Sequence, residues 1–179
     1  MKKHFSKALA LLLALVMVLS VFPVLSFATE EGETATLING LPEDGAYGVI
    51  YNADGYLVGA DVNGGSAPAK TATVSSDGAS IPSLPNGTAV VKFVKTGSDY
   101  ILQLGGQYLA LNDSEELILT DEIGENGYAK WTFVTDQAGA AGYYNIKNVG
   151  FQYNGGPVYL EVYKGAIKPW SYKASSASL

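Results

Sequence analysis

Glu161 stands on an apolar stretch between Leu160 and Val162. A carboxyl group among apolar neighbours is what a glycoside hydrolase uses as its acid when a second carboxylate faces it. The second group would have to come from Asp113, Glu115, Glu116, Asp121, Glu122 or Glu125. A plainer reading competes with this one: on a strand of alternating faces Glu161 looks at solvent, and the acidic run is a solvated hairpin. The same acids carry oxygen ligands, but their spacing is not that of an EF-hand loop, so no metal site is expected. Other routes to catalysis are closed. The single His, His4, lies in the first 28 residues, and Cys and Arg are absent from the whole chain. That removes His-based triads, thiol nucleophiles, the usual zinc ligand sets and arginine clamps together. The chain is expected not to be an enzyme and to need no cofactor.

Aromatic side chains carry what remains. Both Trp and all 12 Tyr lie after residue 28. Flat rings stack on the apolar faces of sugars, while nearby carboxyl and amide groups take the hydroxyls. The densest group is Tyr159, Tyr163, Trp170 and Tyr172, with Glu161, Lys164 and Lys168 among them. Tyr159 sits at a repeated position and is expected in the core. Trp170 follows Pro169 in a polar stretch and is expected to be exposed. The ligand-binding residues expected for a glycan are therefore Trp170, Tyr172, Tyr163 and Glu161.

These residues are positioned by a repeat. Tyr47-x-x-Ile50-x-Asn52 and Tyr143-x-x-Ile146-x-Asn148 share one pattern, and Asp99-Tyr-Ile-Leu102-Gln-Leu104 is a worn copy. A Tyr-Leu pair follows each, at Tyr56-Leu57, Tyr108-Leu109 and Tyr159-Leu160, spaced by 52 and 51 residues. Strands are expected near 71–74, 89–94, 100–104, 108–111, 116–120, 130–134, 144–148, 158–163 and 167–172, bounded by Gly, Asn and Asp. Gly64-Gly65, Gly105-Gly106 and Gly155-Gly156 match no phosphate loop and are read as turns. Helix signals are nearly missing after the leader. Three units of about four short strands predict an all-β, β-trefoil-like fold with three pseudo-repeats, the last incomplete; a β-sandwich is the alternative. The units are about 37–95, 97–136 and 142–179. Val91-Lys-Phe93 and Trp131-Thr-Phe133 close the first two, with Trp131 and Phe133 in the core. No such aromatic strand follows Tyr172, so the natural polypeptide is expected to continue past Leu179.

Lys2, Lys3 and Lys7, the apolar run Ala8–Leu19, Pro23 and Ser26-Phe27-Ala28 make residues 1–28 a secretory signal peptide. Residues 29–36 are expected to be a flexible N-terminus and 37–179 a single domain. Removing the leader takes away three of 11 Lys and none of the 17 acids, so 151 residues remain with net charge −9. Such a chain is poorly suited to nucleic acid. With no Cys for disulfides, it is expected to be bacterial and extracellular, secreted or at the cell surface, without a membrane span after cleavage.

At Tyr143-Tyr-Asn-Ile-Lys-Asn148, Tyr159-Leu-Glu-Val-Tyr163 and Pro169-Trp-Ser-Tyr172 the chain resembles the ancillary β-rich, ricin-type β-trefoil-like regions of secreted multidomain proteins from Gram-positive gut bacteria. Those proteins often carry a metallophosphatase/5′-nucleotidase domain, whose metal-binding motif is absent here. The Gln-x-Trp signature of ricin-type repeats is also broken, with Ala129 two residues before Trp131. The expected function is a secreted, non-catalytic module that binds glycans or the cell surface. The alternative is a spacer domain of a larger secreted hydrolase of that kind, with the catalytic domain further along the same polypeptide.

Overall fold

Short runs of β-branched and aromatic residues broken by glycines cannot build a long helix, and they form a ladder of short strands instead. A computed structural model describes residues 32–36, 40–52, 54–135 and 144–171. The leader with His4, Tyr143 and Tyr172 lie outside those residues. The described chain is all-β, with no helix. The first unit holds β1 (Ala35–Thr36), β2 (Tyr47–Gly48), β3 (Tyr56–Val58), β4 (Ala67–Thr71), β5 (Ser80–Ile81) and β6 (Val91–Thr96). The second holds β7 (Asp99–Leu104), β8 (Gln107–Leu111), β9 (Leu117–Thr120) and β10 (Lys130–Val134). The third holds β11 (Asn145–Tyr153), β12 (Gly156–Tyr163) and β13 (Ala166–Ser171). The strand expected near 71–74 lies earlier, at β4, because Ala67–Thr71 has partners on both sides: β3 and β13.

All pairings are antiparallel. The main sheet runs β2-β6-β7-β10-β11-β12-β13-β4-β3, with β8 branching from β7 and β9 from β8. First and last strands of successive units thus alternate along one side of the ladder. β7 shows how this is done. One edge pairs with β6 along its full length, from Val91↔Leu104 to Thr96↔Asp99. The other edge is divided: Tyr100 and Ile101 face β10, and Gln103 and Leu104 face β8. The polar N-terminal stretch ends in β1, which pairs with β5, and the Leu84 N–H donates to the Glu33 carbonyl at 2.7 Å.

The repeated asparagine has a mechanical task. Asn52 and Asn148 are both buried. The Asn52 Oδ1 accepts from the Tyr56 N–H at 2.8 Å. The Asn148 Oδ1 accepts from the N–H groups of Gly150 and Phe151, at 3.1 and 2.8 Å, and its Nδ2 donates to the Tyr128 carbonyl at 2.8 Å. Each satisfies backbone groups where strand pairing is irregular: Asn52 between β2 and β3, and Asn148 inside β11, where the register against β12 shifts between Lys147 and Gln152. In the second unit Leu104 takes this position, and there β7 turns into β8 through the two residues Gly105-Gly106. A tight two-residue turn has no orphan groups for an asparagine to hold.

Alternation sorts the core. Tyr100, Leu102 and Leu104 join it from β7, Leu109 and Leu111 from β8, and Val158, Leu160 and Ile167 from the last hairpin. Leu57, Ile81 and Leu84 form a second cluster under the first unit. Trp131 is fully buried, and its indole N–H donates to the Leu109 carbonyl at 2.8 Å. Phe133 is only half-buried and packs edge-on to Tyr100, ring centroids 5.0 Å apart. Trp131→Ala should lower unfolding free energy by about 3–5 kcal/mol, read from urea midpoints. Phe133→Ala should cost clearly less. Equal losses would show that the two rings contribute alike.

Candidate functional site

A β-hairpin displays every second residue of each strand on a common face, and directly opposed residues share that face. In the β12–β13 hairpin the opposed pairs are Tyr159↔Trp170, Glu161↔Lys168 and Tyr163↔Ala166. Val158, Leu160 and Val162 turn inward to the core. Tyr159, Glu161, Tyr163, Lys168 and Trp170 therefore share the other face; Tyr159 is buried there, as expected, while Tyr163 and Trp170 are exposed. The turn joining the strands is Lys164-Gly165, with φ of 53° and 76°. Two consecutive left-handed residues suit a two-residue hairpin turn, and this one holds the register on which the face depends.

Tyr163 and Trp170 are stacked, ring centroids 5.4 Å apart and planes 23° from parallel. They reach toward each other diagonally, meeting across the Glu161–Lys168 pair that lies between them in the register. Both stay open to solvent, at 41% and 39% exposure. The Lys168 Nζ lies 4.4 Å from the centre of the Tyr163 ring and 5.2 Å from that of Trp170. The Lys164 Nζ lies 5.1 Å from the Tyr163 ring. Ammonium groups over aromatic faces are held by the ring quadrupole.

Glu161 corrects the expectation of a solvent-facing carboxylate. It does point to the outer face, but it is only 8% exposed. Alternation along one strand could not show this. No hydrogen bond or ion pair to its side chain is found among the described residues, and no fully buried side-chain oxygen or nitrogen there lacks a partner, so its carboxyl oxygens keep some contact with solvent. Burial without a partner disfavours the charged form and pushes its carboxyl from 4.5 up to about 7.

Beside the stack lies an open depression of about 540 Å³, walled by Trp170, Lys168, Tyr153, Ser114, Glu115 and Gly65, among others. Sequence reasoning missed Tyr153, Ser114 and Gly65 as site residues. Tyr153 had a visible signal, since it is an aromatic directly before the Asn154-Gly155 turn. Ser114 and Glu115 arrive on a loop tied by Asn112, whose Oδ1 accepts from the N–H groups of Ser114 and Glu116, both at 2.9 Å. Glu115 holds φ at 61°, and burial raises its carboxyl above the ordinary value. The other acids of this run go elsewhere. Asp121 accepts from Gln107 at 3.0 Å and Glu116 from Asn112 at 2.8 Å. Among the described residues no three His, Cys, Asp or Glu side chains gather as metal ligands. No helix there is long and apolar enough to cross a membrane. Of the four expected ligand-binding residues, the structure brings Glu161, Tyr163 and Trp170 together; Tyr172 lies outside the described residues.

Comparison with protein-family models, with curated proteins and with solved structures finds no match to this chain.

The buried carboxyl has a consequence for stability. Between pH 4.5 and about 7 the unfolded chain releases the Glu161 proton while the folded chain keeps it, so folding weakens as pH rises through that window. The penalty is absent below the window and complete above it. Glu161→Gln should match the parent at pH 4 and exceed it at pH 8, by at most about 3 kcal/mol. Urea unfolding at the two pH values measures this; an equal effect at both would remove the titration of Glu161 as its cause.

Proposed function

We propose that the chain is a secreted, non-catalytic binding module for glycans or a carbohydrate-bearing cell surface, and that the Tyr163–Trp170 stack is its platform. The observation that carries the reading is this stack of two exposed rings on a rigid hairpin, next to a depression with hydroxyl, carboxyl and ammonium groups. Paired aromatic rings that stay about two-fifths exposed favour a ligand with an apolar face, and a pyranose ring has one. Catalysis finds less support: among the described residues the one strongly shifted carboxyl, Glu161, lies across from a lysine, and the depression offers Glu115 alone from the acidic run. Trp170→Ala should leave the urea midpoint nearly unchanged and weaken glycan binding at least tenfold, read on a glycan array and then by titration of the strongest hit. No hits for the parent protein would favour the spacer reading, in which this region accompanies a catalytic domain.

The fold reading we infer is a β-trefoil with three pseudo-repeats. It is supported by the alternation β2-β6-β7-β10-β11 of first and last strands and by the middle hairpins β3–β4, β8–β9 and β12–β13. In this reading six strands would form the barrel, and five are among the described residues. The sixth would be the counterpart of Val91-Lys-Phe93 and Trp131-Thr-Phe133, whose Phe rings already lie 6.2 Å apart. Fusing a second copy of residues 121–135 after Leu179 should raise Tm. The same fusion with its Trp and Phe replaced by Ala should not. An unchanged Tm in both would speak against the trefoil.

A further inference from the structure

We infer that the platform is selective for sugars bearing a carboxylate, such as uronic or sialic acid residues, and that Glu161 governs their binding by holding or releasing a proton. This rests on the glycan reading and adds the ligand's charge and its control.

The first argument is the charge of the platform. Two ammonium groups, of Lys164 and Lys168, lie on the Tyr163 ring, and Lys168 also lies on Trp170. Neither lysine has an ion-pair partner among the described residues, although the chain as a whole is acidic. A neutral sugar gains only stacking here. A sugar with a carboxylate stacks in the same way and also supplies the anion that the lysines lack, in a charge-assisted contact. Its hydroxyls then face Ser114 and Glu115 across the depression. Glu115 is the acid an anionic ligand would meet there, and burial raises its carboxyl above the ordinary value.

The second argument is the register. Glu161 lies directly across from Lys168. The charged or titratable groups around it on the paired strands are Lys168 from β13, Tyr159 and Tyr163 from its own strand, and Lys147 from β11, which lies across from Tyr159; Lys164 follows in the turn, and Glu115 lines the depression. A protonated Glu161 leaves the Lys168 ammonium free for the ligand. An ionised Glu161 competes for that ammonium and places a fixed negative charge under the ligand's own. Burial disfavours the charged form of a carboxyl and pushes this one up to about 7. The sugar's carboxyl ionises far below that window, so the protein alone sets the pH response.

The experiment is an array of neutral and carboxylated glycans probed with the full secreted protein at pH 5.5 and 8, followed by titrations with the strongest hit and its methyl ester. Expected are hits confined to carboxylated glycans, at least tenfold weaker at pH 8 and lost on esterification. Glu161→Gln should bind as tightly at pH 8 as at pH 5.5. Lys168→Met should lose at least tenfold while Trp170 fluorescence and the urea midpoint report an intact fold. Hits on neutral glycans alone would overturn the inference and leave the glycan reading standing. Equal affinity at both pH values in the parent would overturn the role of Glu161. No hits at either pH would sink both.

Discussion

One buried hydrogen bond sits where the fold's pieces meet. Trp131 has the largest side chain in the core, and its indole N–H would be costly to bury without a partner. The Leu109 carbonyl supplies one. That bond ties β10 to β8, while the backbone of β10 pairs with β7 on one side and β11 on the other. A single residue thus joins the middle hairpin of the second unit to its closing strand and, through β11, to the third unit. The last hairpin inherits its orientation from this arrangement, since β12 is held by β11 along its other edge.

The outer face of that hairpin shows what such rigidity permits. Rings that stack in the open give up rotamer freedom and keep much of their surface in water, so a fixed backbone must hold them in position. Here it comes from six paired residues on each strand and a turn of two left-handed residues. The same fixed register traps a carboxyl group where water reaches it poorly and no partner meets it. Stacking, cation placement and the raised proton affinity of Glu161 are three results of one alignment.

Much of this was legible in the chain. The Tyr-Leu pairs mark β3, β8 and β12, and the expected positions of β7, β8 and β10 agree with the observed ones to within a residue. The asparagines at Asn52 and Asn148 stood out in the repeated pattern, but their partners did not, since one meets Tyr56 and the other Tyr128, Gly150 and Phe151. Trp170 was readable as exposed because a Pro-Trp-Ser segment among lysines has little to bury it. Other features were not readable, for definite reasons. Ala67–Thr71 has poor strand-forming residues and owes its conformation to neighbours on both sides, which local preference does not record. Glu161 is placed across from Lys168 by a register that no single strand contains. Tyr153, at the end of β11, converges with Ser114 and Gly65 from two separate connections.

The contact between the second and third units bears on how such a protein can be rebuilt. At Gly150 a β-carbon would run into the Asn126 carbonyl and the backbone of Gly127, and the Gly150 N–H donates to the Gly127 carbonyl at 3.2 Å. Asn148 reaches back to Tyr128 in the same region. The third unit therefore completes the backbone of the second, with main chain pressed on main chain and no side chain to adjust between them. Solenoid repeats can be excised, duplicated or exchanged because each contributes a generic surface to its neighbour. This seam is specific down to a hydrogen atom. Any exchange of segments along this chain would have to move the loop Asn126–Tyr128 together with Gly150 of β11, because neither stretch of backbone fits without the other.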